Sequence, residues 1–173
     1  METALISIVS IALIIVSTVT MMMGLFQSTT GLAHSWQQME QQAGSIRLTE
    51  INVVPPENYN GGLIDLTVLN EGHTNLADFT GWDVIAQYES SSLNYIPHSE
   101  SYPPGNNEWA VNGIYITGNG PESFDPNILN PGEEMNMVIN LHPEISEGEA
   151  ARITVTTPNG VTSTCYVTRQ EAS

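Results

Sequence analysis

The chain has 173 residues, 19 of them acidic against 3 basic, giving a formal net charge of -16. Such a surface repels nucleic acid and anionic lipid, because counterion-release binding needs Lys and Arg on the protein, and the single cysteine, Cys165, excludes an intrachain disulfide. Only 13% of residues are charged while Asn, Ser, Thr and Gln abound, so the acidity reads as solubility in a salty or exposed setting and not as a polyelectrolyte tail.

The first element is apolar. Residues 5–26, LISIVSIALIIVSTVTMMMGLF, hold twelve Leu, Ile, Val or Phe residues, worth roughly 0.3 to 0.6 kcal/mol each at mid-membrane, or roughly 4 to 7 kcal/mol before Ser and Thr subtract. A removed signal peptide would need a basic flank and a short apolar core, yet there is no Lys anywhere and no Arg before Arg47. The mature chain is therefore expected to start at or near Met1, after removal of a basic leader. The helical pattern runs on through QSTTGLAHSWQQMEQQ, with Leu32, Trp36 and Met39 at i, i+4, i+7. A helix to about Gln42 spans roughly 60 Å, about twice the hydrocarbon thickness of a bilayer. Half of it must pack on something else.

Beyond the helix the period changes to two. Residues 45–54, SIRLTEINVV, open a β region, and PPENYNGG reads as a loop. In LIDLTVLN, Ile64, Leu66 and Val68 share one face against Asp65 and Thr67; in FTGWDVIAQYE, Trp82, Val84, Ala86 and Tyr88 oppose Asp83 and Gln87. Residues 109–117, 134–141, 151–157 and 160–168 complete the strands, while 98–108 and 118–134 read as exposed loops. Asn159-Gly160 predicts a type I′ hairpin between the last two strands. With no crossover helices, the expected fold is α+β: an N-terminal helix over residues 1–43, then an immunoglobulin-like antiparallel β-sandwich of seven or eight strands over 44–173.

Chemistry is sparse. His34, His73, His98 and His142 lack zinc-ligand spacing, and no hydrolase, zincin or phosphate-loop signature occurs. Glu133-Glu134, or Asp125 with Glu122, are acid pairs able to hold Ca²⁺ in a loop, although no EF-hand loop is present and acids this common cluster by chance. No N-glycosylation sequon occurs; O-linked sugars on Ser90, Ser91 and Ser92 or on the Thr-rich strands stay open. Cys165 shares a strand face with Val161, Ser163 and Val167 and is expected as a small buried hydrophobe. No catalytic residues, cofactor or metal are expected.

An uncharged apolar helix that continues amphipathically into a β-sandwich resembles the archaellins, the type IV pilin-like subunits of the archaellum filament. The segments LTVLNEGHTNLADFTGWDVIAQY, LNPGEEMNMVINL and ITVTTPNGVTSTCY are similar to parts of archaellum filament and stator-type proteins. The resemblance implies a leader cut by a prepilin-type peptidase and membrane insertion before assembly. It further implies extraction by an ATPase-driven archaellum platform into an extracellular, self-assembled filament that rotates for swimming. Bacterial type IV pilins usually carry Glu at the fifth mature position; here Leu5 stands there and the nearby acid is Glu2, which leans away from them.

A helix apolar on all faces belongs in lipid or inside a bundle. The residues expected to pack in a filament core are Leu5, Ile8, Ile11, Ile15, Val19, Met22, Phe26, Leu32, Trp36 and Met39, with Ala4, Ser7, Ala12 and Ser17 allowing close approach. Subunits added head to tail without closing a ring give an open polymer. The alternatives are a stator-type or minor pilin-like membrane-anchored protein binding the surface layer, an adhesion pilus subunit, a bitopic adhesion or ligand-binding domain, or, weakest for want of any catalytic constellation, a secreted enzyme. Residues 27–42 hold one charged residue, Glu40, too few for a stalk in water. That favours the polymer.

Overall fold

The computed structural model describes residues 2–88, 92–116, 120–122, 124–125 and 127–171, with side chains from Ile6 onward. It divides into two units, Met1–Gly44 and Ser45–Ser173.

One helix, α1 (Glu2–Leu48), runs 47 residues, roughly 70 Å at 1.5 Å per residue. It ends at Leu48 and not near Gln42. The segment 45–48 reads as strand in the sequence because Ile46 and Leu48 alternate with polar residues, but long-range bonds hold it as a last helical turn. Thr49 donates its N–H to the Ser45 carbonyl (3.1 Å) and its hydroxyl to the same oxygen (2.9 Å). Asn159, far along the chain, donates its amide to the Ser45 Oγ (3.1 Å) and the Thr49 Oγ1 (2.8 Å). Arg47 sits in this last turn, where a cation complements the helix dipole.

The rest is a sandwich of two antiparallel sheets. The strands are β1 (Ile51–Val54), β2 (Leu63–Asn70), β3 (Asp83–Tyr88), β4 (Ser92–Ile96), β5 (Glu108–Ile116), β6 (Gly120–Pro121), β7 (Glu133–Asn140), β8 (Ala150–Thr156) and β9 (Thr162–Thr168). One sheet has the order β1-β2-β7-β5-β6 and the other β4-β3-β8-β9. Alternation buries Ile64, Leu66 and Val68 of β2 with Met135, Met137 and Ile139 of β7. These face Val84 and Ala86 of β3, Ile153 and Val155 of β8, and Cys165 and Val167 of β9. This single core lies wholly between Ile51 and Val167.

Three departures from the sequence reading have local causes. Strand β4 is an edge strand whose Leu93 and Tyr95 point to solvent and whose Ile96 alone is buried, so its apolar signal is weak. The 118–134 segment is not all exposed loop: Leu129 is fully buried and exchanges backbone bonds with Leu76 (2.7 and 3.0 Å). The β8–β9 turn is not type I′, because Gly160 has positive φ (88°) but Asn159 does not. Pro158 fixes its own φ near the value a type I turn needs, and Gly160 closes the turn in the left-handed region. The Gly160 N–H donates to the Thr157 carbonyl (2.8 Å) and the Thr157 N–H to the Val161 carbonyl (2.9 Å).

Candidate functional site

The largest exposed apolar surface belongs to α1. At about 100° per residue, Ile8, Ile11, Ile15, Val19, Met22 and Phe26 fall within a stripe about 80° wide. Leu32, Trp36 and Met39 form a second stripe rotated from it by about 100°. All nine are exposed, with Trp36 at 75%; the side chain of Leu5 lies outside the described ones. As expected of a helix apolar on all faces, Ile6, Val9, Leu13, Ile14, Val16, Met21, Met23 and Leu25 fill the other faces and are also exposed. Composition carried that signal, since no face of 5–26 is charged. The first half therefore has no single contact face: it requires apolar surroundings on every side.

The small residues expected to permit close approach do not share a face. Ala12 and Ser17 are about 140° apart on the helix, and the side chain of Ala4 lies outside the described ones. A recurrent small stripe is formed instead by Ser10, Ser17, Gly24 and Gly31 at seven-residue spacing. A Cβ added at Gly24 or Gly31 would meet nothing within 4 Å, so the grooves there are open. Hydroxyls in the apolar half turn back on the helix: Ser10 donates to the Ile6 carbonyl (2.9 Å), Thr18 to Ile14 (2.7 Å) and Thr20 to Val16 (2.7 Å). These three donors are satisfied internally, so none of them is an orphaned hydroxyl proton in apolar surroundings.

In the β unit the candidate chemical groups have structural roles. Glu133 is buried, and its Oε2 accepts the Asn130 N–H (2.8 Å) while Oε1 accepts the Asn130 amide (3.3 Å). That carboxylate closes the β7 turn and does not join Glu134 at a cation site. Glu122 Oε1 accepts the backbone N–H of Phe124 (2.6 Å) and of Asp125 (3.4 Å). Among the described residues no three His, Cys, Asp or Glu converge to hold a metal. His98 packs edge-on against Trp109, with ring centroids 4.6 Å apart; burial lowers its pKa, partly opposed by Glu100. Cys165 is buried, and that burial pushes its thiol up to about 11, which leaves it unreactive. Ser90 and Ser91 lie outside the described residues.

Residues 2–167 match the family model of the archaeal-type flagellins. The chain is similar in structure to the archaeal flagellum of Methanospirillum hungatei strain JF1, at 14% identity and TM-score 0.56, over 96% of this chain and 93% of that one. An archaeal flagellin from Methanocaldococcus jannaschii gives 8% identity and TM-score 0.54, over 72% and 93% of the two chains. The archaellum periplasmic stator protein FlaG from Sulfolobus acidocaldarius gives 22% identity and TM-score 0.52, over 69% and 100%. No curated protein matches by sequence. The structural likenesses concern the fold; the family match runs from the start of the helix into the last strand, and the chain belongs to the archaeal-type flagellin family.

Proposed function

We propose that this structural, non-enzymatic archaellum subunit polymerises through α1 into an extracellular helical filament used for swimming, with the sandwich facing outward. The carrying observation is the exposure of the helix's second half. A bilayer accommodates about 20 apolar residues, which 5–26 supply, yet Leu32, Trp36 and Met39 lie beyond that span and are 58%, 75% and 69% exposed. Burying each against a neighbouring helix would contribute about 1.5 to 3 kcal/mol. Residues 5–26 serve twice in this reading, in lipid before assembly and among neighbouring copies after it. Its implied assembly partners are a prepilin-type peptidase and the membrane platform with its ATPase. The residues assigned to filament-core packing are Leu5, Ile8, Ile11, Ile15, Val19, Met22, Phe26, Leu32, Trp36 and Met39, on an N-terminal assembly region of 1–43.

The test uses Leu32→Glu and Trp36→Glu, each of which would bury an unpaired charge in a filament, at a cost of several kcal/mol unless the charge is neutralised. In a bitopic protein either site lies past the apolar span and tolerates the change. Cell fractionation should find the variants in the membrane and electron microscopy should find no filaments. Normal filaments would refute the polymer core and favour a stator-type role, a reading supported only by a likeness over 69% of the chain.

A further inference from the structure

The outer face of the β4-β3-β8-β9 sheet carries a feature that the core of the sandwich does not explain. Cross-strand register sets Leu93 beside Gln87 and Gln87 beside Arg152, with Tyr95 beside Ile85 and Ile85 beside Thr154 in the next row. Between these rows lies a depression of about 220 Å³ lined by Ile85, Gln87, Leu93, Arg152 and Thr154. Leu93 is 71% exposed. Arg152 is exposed and makes no ion pair among the described residues, although the chain has 19 acids to 3 basic residues. Of the other two arginines, Arg169 is paired with Glu144 (3.1 Å) and Arg47 belongs to the last helical turn.

A complementary shape lies elsewhere on the same unit. Phe124, in the loop between β6 and β7 of the other sheet, is 89% exposed. It is not a loose tip, because the Glu122 carboxylate holds the backbone N–H groups of Phe124 and Asp125. An apolar ring with an adjacent exposed carboxylate thus projects from one sheet, and an apolar depression edged by a guanidinium opens on the other. We propose that Phe124 of one copy seats in the Ile85–Leu93–Arg152 depression of the next copy, with Asp125 against the Arg152 guanidinium. The proposal rests on the filament reading. Because the two surfaces lie on different sheets, a one-way contact between them is heterologous, and such a contact propagates as an open polymer where its rotation does not close a ring. Charge complementarity identifies the occupant: a second copy of this acidic chain supplies the carboxylate, and the depression supplies the cation.

The test is made on filaments of the full chain in its own cells. A chain carrying Phe124→Cys and Leu93→Cys should yield dimers and higher ladders with a short bis-maleimide, while either single variant should yield none; Cys165 is buried and stays silent. Separately, Arg152→Asp or Asp125→Arg should lower filament yield about tenfold, and the two together should restore most of it. Filaments that form without ladders from the double-cysteine chain overturn the contact and leave the filament reading standing. A crosslinked dimer from either single variant also overturns it, because one accessible cysteine per chain joins two copies only where like residues meet. If the double-cysteine chain does not assemble, the charge pair decides: no rescue by the combined reversal overturns the proposal. Failure of the unmodified chain to form filaments removes the filament reading and this contact with it.

Discussion

Gly72 is the position where a single methyl group should do the most damage to the β unit. A Cβ there would lie 2.5 Å from the Glu50 nitrogen, 2.6 Å from the Leu48 carbonyl oxygen and 3.1 Å from the Thr49 carbonyl carbon. All three are backbone atoms of the turn between α1 and β1, so no side chain can rotate away. Reaching ordinary contact means opening the joint by roughly 1 Å. The bonds across it are Glu71 N–H to the Glu50 carbonyl (3.0 Å), Gly72 N–H to the same carbonyl (3.1 Å) and His73 N–H to the Leu48 carbonyl (2.7 Å). Losing two of them costs about 0.5 to 1.5 kcal/mol each, and up to about 3 where a buried group is left unpaired. Reduced chain entropy in the unfolded state offsets about 0.4 to 1 kcal/mol. Gly72→Ala should therefore destabilise by about 2 to 4 kcal/mol. Gly160→Ala is the comparison: nothing lies within 4 Å of its added Cβ, and only its φ of +88° resists alanine, at about 1 to 2 kcal/mol. Urea unfolding of a fragment covering 45–173, followed by fluorescence of the buried Trp82 and Trp109, measures both. With a slope of about 1 to 3 kcal/mol per molar, the Gly72 midpoint should fall by about 1 M or more. A Gly72→Ala fragment as stable as the parent, or more stable than Gly160→Ala, would refute the close-approach argument.

The same fragment offers two further measurements. The Cys165 thiol, raised to about 11 by burial, should react with a thiol reagent at pH 8 about a hundredfold more slowly in the folded fragment than in urea. Equal rates would mean that β9 is not packed as described. His98 has a lowered pKa in the fold, so as pH falls the unfolded chain takes up its proton first. Stability tied to neutral His98 is fully present above the unfolded value of about 6.5 and is lost as pH falls through the lower folded value. Urea midpoints should drop between pH 7.5 and 5.5, and His98→Phe, which keeps a ring against Trp109, should flatten that dependence; an unchanged slope would count against the assignment.

Much of this architecture is legible locally. The helix is announced by an unbroken apolar run, because helical backbone satisfies its own hydrogen bonds and needs no distant partner to be recognised. Strands β2, β3, β7, β8 and β9 are legible from period-two alternation, since one face of each is buried in the core. What the local pattern lacks is any record of partners far along the chain. Ser45 and Thr49 end the helix where they do because Asn159, more than a hundred residues on, bonds both. Leu129 is core because Leu76 pairs with it, and Glu133 is a loop brace because Asn130 folds back onto it. Proline 158 overrode the Asn-Gly turn signal through a φ constraint one residue earlier. The close approach at Gly72 and the depression beside Arg152 exist only once the strands are in register. Residues on α1 differ again: sequence named them as apolar, the chain's own fold leaves them exposed, and no contact within one subunit chooses which face meets which neighbour.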